Sequence, residues 1–110
     1  MIDWERVETL RDEVGADNFG EVAALFLAEV DDVVARLATT GSPEGLERDL
    51  HFMKGGALNL GFSALGRLCE KGERLAAKGR AAEVDIPAVV ALYRASRRDF
   101  TEAMGRSVAA

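Results

Sequence analysis

Apolar residues recur at spacings of three and four from Trp4 to Met104, and no stretch alternates apolar with polar. With only two prolines in 110 residues, this pattern predicts helices throughout. Five amphipathic segments are expected, each read from its apolar stripe and its end signals. The first runs from about Asp3 to Val14, with Trp4, Val7, Leu10 and Val14 on one face, Asp3 as cap and Gly15 as stop. The second runs from about Asp17 to Thr39 on a stripe of Phe19, Val22, Phe26, Val30, Val33 and Leu37, with Gly41 just beyond it. The third is expected to open at Ser42-Pro43 and to carry Leu46, Leu50, Met53, Ala57 and Leu60 before Gly61. The fourth opens near Ser63 and uses Leu65, Leu68, Cys69, Leu75 and Ala76 up to Lys78-Gly79. The fifth opens near Asp85, holds Pro87 in its first turn, and carries Ile86, Val89, Val90, Tyr93, Phe100 and Met104.

Short connections make neighbouring helices antiparallel. The expected fold is therefore all-α: an antiparallel up-down four-helix bundle with a short additional N-terminal helix. The length suits a single domain over residues 1–110. Composition adds bounds. At 48% hydrophobic and 30% charged, the chain should fold as a soluble globule. The net charge of −5 argues against general nucleic-acid binding, which needs a basic face. Charge is uneven: residues 1–60 hold 13 acids and 5 bases, a balance of −8, and the remainder carries +3. One cysteine, Cys69, excludes an internal disulfide, and no secretory signal or membrane-spanning run is visible. A cytosolic protein without membrane contact is expected.

The third segment contains an oddity. It reads Leu50-His51-Phe52-Met53-Lys54-Gly55-Gly56-Ala57. Each mid-helix glycine costs about 1 kcal/mol relative to alanine, so helix stability alone does not explain the pair. His51 lies about 100° around the helix from the core residue Leu50, which turns it outward. Lys54 and Gly55, three and four residues on, share its face. A nucleophilic nitrogen, a nearby cation and an open approach suit phosphoryl transfer through histidine. The competing account is structural: a lone helical histidine is more often a solvated surface residue, and either glycine can serve close helix packing. Gly56 is the better candidate for packing and Gly55 for access.

The run from His51 to Cys69 resembles the signature of the histidine-containing phosphotransfer family of two-component phosphorelays. The elements are His51, Lys54-Gly55, the small pair Gly56-Ala57, Leu60-Gly61, Leu65 and Cys69. The resemblance implies that His51 accepts a phosphoryl group on Nε2, that Lys54 stabilises the phosphohistidine, and that Gly55 admits the partner's active site. It places Glu73 opposite the histidine, where a hydrogen bond can orient the imidazole. The implied partners are a response-regulator receiver domain, which brings its own Mg²⁺, and a sensor or hybrid histidine kinase. A docking surface on the third helix should include Arg48, Phe52 and Leu58, with help from the second helix. No glycine-rich phosphate loop is present, so the chain reads as a phosphocarrier without an ATP site or a cofactor of its own, and an exposed transfer face makes a monomer the simplest expectation. Three residues depart from the family pattern: Gly56 in place of serine, Phe62 in place of a small residue, and Gly72 in place of leucine.

Other candidates are weaker. Cys69 lies on the apolar stripe and reads as a buried structural thiol. One histidine and one cysteine cannot assemble a classical zinc site. Asp31-Asp32 is expected to form a solvated face, and Arg94, Arg97 and Arg98 to form surface ion pairs. The rival functions are a non-catalytic helical adaptor with the same docking face and a thiol-dependent enzyme built on Cys69.

Overall fold

The computed structural model describes residues 1–40 and 43–109, with side chains through residue 105 apart from residue 40. The described residues form five α-helices and no strand: α1 (Trp4–Val14), α2 (Ala16–Thr40), α3 (Leu46–Leu60), α4 (Ser63–Ala77) and α5 (Ile86–Ala109). A short 3-10 turn, Ala81–Glu83, lies between α4 and α5. Helices α2 to α5 close a four-membered ring in which α2 and α4 each pack on both α3 and α5. The pairing runs antiparallel, because Leu58 faces Gly66 across α3 and α4 while the earlier Leu50 faces the later Gly72. Helix α1 lies across α2 and α3 as an appendage. No helix among the described residues is long and apolar enough to cross a membrane.

The predicted stripes supply most of the core, but in α2 the buried face is shifted: Ala23, Leu27 and Val34 join Phe19, Val30, Val33 and Leu37, while Val22 and Phe26 are only part-buried. Leu46, Leu50, Met53, Ala57 and Leu60 of α3 are all buried, as are Leu65 and Cys69 of α4 and Val89, Tyr93 and Phe100 of α5. Phe62 is also fully buried, with its ring edge-on to Phe100 at 5.6 Å and tilted against Tyr93 at 6.5 Å. Trp4 departs from its expected place: it stays largely exposed, stacked parallel to Phe100 at 6.5 Å.

The ends follow local chemistry. Asp3 caps α1, its Oδ1 accepting the Arg6 N–H at 3.3 Å. Gly61 closes α3 at φ +80°, and the Phe62 N–H bonds Ala57 O at 2.7 Å, the six-to-one closure that follows a left-handed residue. The Asp3 N–H in turn donates to Gly61 O at 2.6 Å, fastening α1 to the α3–α4 turn. The predicted start of α3 is corrected: the helix opens at Leu46, not at Pro43. Gly45 precedes it at φ +76°, outside helical space, and the first ladder bond runs from the Asp49 N–H to Gly45 O. The proposed cap, Ser42, and the proposed stop, Gly41, lie outside the described residues.

Asp31 is not the simply solvated acid expected. It accepts from the Tyr93 hydroxyl at 2.5 Å and from Arg97 through two bonds of 3.0 Å, joining α2 to α5. Partial burial opposes its ionisation, but the hydrogen bonds from Arg97 and Tyr93 and the Arg97 charge outweigh it, and its pKa lies below the ordinary aspartate value. A lowered pKa stabilises the fold above the unfolded-state value and is lost as pH falls through the folded one. Asp31→Asn is therefore expected to cost about 1–2 kcal/mol at pH 7, a figure reduced for the pair's partial exposure. The gap between wild type and variant should close below about pH 4. Urea titrations from pH 7 to 3 check this; a gap independent of pH rules out the ion pair as its source.

Candidate functional site

His51 sits mid-way along α3 with its side chain 68% exposed, turned off the buried Leu50 stripe as the helical spacing requires. Its Nδ1 lies 2.7 Å from Glu73 Oε1 on α4. The other carboxylate oxygen, Oε2, lies 2.9 Å from Lys54 Nζ. The three side chains thus form one chain of contacts, Lys54 to Glu73 to His51. In this structure the Lys54 ammonium reaches the histidine through the carboxylate.

The electrostatics fix the tautomer. The neighbouring Lys54 ammonium is the largest influence on Glu73 and, with the His51 contact, outweighs partial burial to hold the carboxyl below its usual range. Glu73 is then ionised at neutral pH and offers only lone pairs. His51 Nδ1 must carry the hydrogen in that bond, so neutral His51 presents the Nε2 lone pair outward. Nε2 is accordingly the ring nitrogen left with a free lone pair.

The two glycines divide their work as the spacing suggested. A Cβ on Gly55 would meet no atom within 4 Å, so its emptiness serves nothing inside this chain. A Cβ on Gly56 would fall 2.9 Å from Val30 Cγ2, so Gly56 lets α3 and α2 approach. Beside them runs a groove of about 270 Å³ between α2 and α3, lined by Phe26, Glu29, Val30, His51, Phe52, Gly55, Gly56 and Asn59. Phe26 and Glu29 are the residues that the spacing did not single out for this face. Phe26, expected on the core stripe, is only part-buried. One signal was available: an aromatic beside an acid at the same level of α2 borders the stripe.

Of the predicted docking residues, Phe52 and Leu58 are exposed at 44% and 52%, unusual for large apolar side chains. Leu58 lies two turns from His51 on the same face, and Arg48 lies one turn before it, in a second groove shared with Phe52, Glu29 and Asp32. Cys69 is fully buried, and burial, assisted by the Glu73 charge, pushes its thiol up to about 12. A protonated, inaccessible thiol cannot serve as a nucleophile, which removes the thiol-enzyme alternative.

A family model described as the Hpt domain matches residues 21–104, which takes in α3, α4 and most of α2 and α5. No curated protein and no solved structure matches the chain significantly.

Proposed function

Because the chain belongs to the Hpt domain family, whose members are phosphocarriers of two-component signalling, we propose that it relays a phosphoryl group between His51 and a receiver-domain aspartate. The observation that carries this reading is the exposed His51 imidazole, whose Nδ1 lies 2.7 Å from the Glu73 carboxylate.

That geometry supports the following step. The Nε2 lone pair attacks the phosphorus of the partner's aspartyl phosphate, the P–N bond forms, and the P–O bond to aspartate breaks as the carboxylate leaves. Nδ1 keeps its hydrogen throughout, so the phosphorylated ring carries positive charge that the Glu73 carboxylate faces. In the reverse direction the same hydrogen lets the ring leave as neutral imidazole. Lys54 acts by holding Glu73 ionised and in place. Gly55 leaves the approach open, and the apolar side chains of Phe52 and Leu58 offer area that a receiver can bury. Residues 1–110 act together as one unit, with α1 fastened to the α3–α4 turn beyond the matched span.

The test mixes the chain with a radiolabelled phosphorylated receiver. Wild type and Cys69→Ala are expected to acquire acid-labile, base-stable label, and His51→Gln none. Label retained in His51→Gln contradicts the assignment. No label from any receiver or kinase favours the adaptor.

A further inference from the structure

We infer that Gly72 is a positioning residue, whose missing side chain sets the α3–α4 separation at which Glu73 reaches His51. This rests on the reading of His51 as phosphoryl acceptor, but its geometry is independent of any partner. Gly72 immediately precedes Glu73 on α4, and Leu50 immediately precedes His51 on α3. A Cβ built on Gly72 would lie 2.9 Å from Leu50 Cδ1 and 3.2 Å from Val84 Cγ1. Ordinary contacts begin near 3.4 Å, so a methyl group there needs about half an ångström more room.

Neither neighbour gives way freely. Leu50 is fully buried in the core, and Val84 is β-branched and closes the other side. Relief by moving α4 outward carries Glu73 with it. The His51–Glu73 bond is 2.7 Å, and half an ångström more takes it to the limit of a good hydrogen bond. The close approach is not confined to this level. Six residues earlier on α4, a Cβ on Gly66 would fall 3.0 Å from Leu58 Cδ2, and the fully buried Cys69 lies between the two glycines. Gly72 is the member of this seam that stands at the height of the histidine. What looks in the sequence like a lost core leucine is the space that lets the carboxylate reach the ring.

The experiment reads the imidazole itself. In the full chain labelled with ¹⁵N-histidine, the neutral ring of wild-type His51 should show the Nδ1–H tautomer. Gly72→Ala should shift this pattern toward the mixture of a free, solvated imidazole, in the same sense as Glu73→Ala, and slow phosphoryl acceptance roughly tenfold. Leu50→Val, which removes the obstructing methyl group, should restore both the tautomer and the rate in the Gly72→Ala background. If Gly72→Ala does not fold alone, the Gly72→Ala/Leu50→Val double variant, read against Leu50→Val alone, supplies the comparison. A wild-type tautomer pattern in folded Gly72→Ala overturns the proposal, as does failure of Leu50→Val to restore it. Failure of wild type to accept phosphoryl groups instead overturns the reading of His51 and leaves the tautomer result standing.

Discussion

Gly55→Leu should lower phosphoryl exchange between His51 and a receiver about a hundredfold while leaving the folded state as stable as wild type or more so. The two effects separate because of where Gly55 sits. A Cβ there would meet no side chain and no other element within 4 Å, so a leucine side chain starts out into open space. Replacing a mid-helix glycine by a good helix former gains about 0.7–1 kcal/mol. The same side chain, one turn from His51, fills the approach that an incoming phosphoryl group and its carrier must use. An obstruction of about an ångström at the reacting centre is enough to cost two orders of magnitude. Thermal unfolding and single-turnover transfer, measured on one preparation, check the pair of outcomes. Undiminished transfer means the docking face lies elsewhere. A large loss of stability means Gly55 has a packing role that its open surroundings do not indicate.

Phe62→Ala should cost about 3–5 kcal/mol, the largest single-residue effect on stability expected here. The ring is fully buried and in aromatic contact with both Phe100 and Tyr93. It occupies the α3–α4 turn, so its loss opens a cavity where α1, α3, α4 and α5 come together. Alanine removes the buried area and leaves rigid neighbours that collapse only in part. For a domain of this size the melting temperature should fall by roughly 10–20 °C. Phe62→Leu should recover more than half of the loss. Calorimetry on the three proteins checks this. A change below about 1 kcal/mol in Phe62→Ala is incompatible with the packing described.

What the sequence could and could not reveal follows from the range of the interactions. Helical periodicity is a local property, and it located all five helices, most of their buried residues and the outward turn of His51 from Leu50, while Trp4, Val22 and Phe26 fell outside the core it assigned them to. Glycines at a helix end are ambiguous: Ser42-Pro43 carries a start signal, yet Gly45 adopts a left-handed conformation and delays α3 to Leu46. The sequence shows only that both are available. Phe62 and Gly72 looked like departures because their partners, Tyr93, Phe100 and Leu50, lie on other helices. A large side chain in one place and an absent one in the other each match a complementary shape that only the assembled bundle displays. Asp31 was misread for the same reason: its partners Tyr93 and Arg97 lie on α5, across the bundle. The site was more legible because most of it is local. His51, Lys54 and Gly55 occupy a single turn of α3. Glu73 came only from family resemblance, and the geometry adds what resemblance did not supply, namely which carboxylate oxygen meets the ring and which meets the lysine.

The central claim is that His51 Nε2 takes the phosphoryl group while Nδ1 stays hydrogen-bonded to Glu73. The direct measurement is ³¹P and ¹⁵N NMR of the ¹⁵N-histidine-labelled chain after phosphorylation by a receiver. The account predicts phosphorus coupled to Nε2 of His51, with Nδ1 still protonated. Phosphorus on Nδ1, or on a residue other than His51, contradicts it.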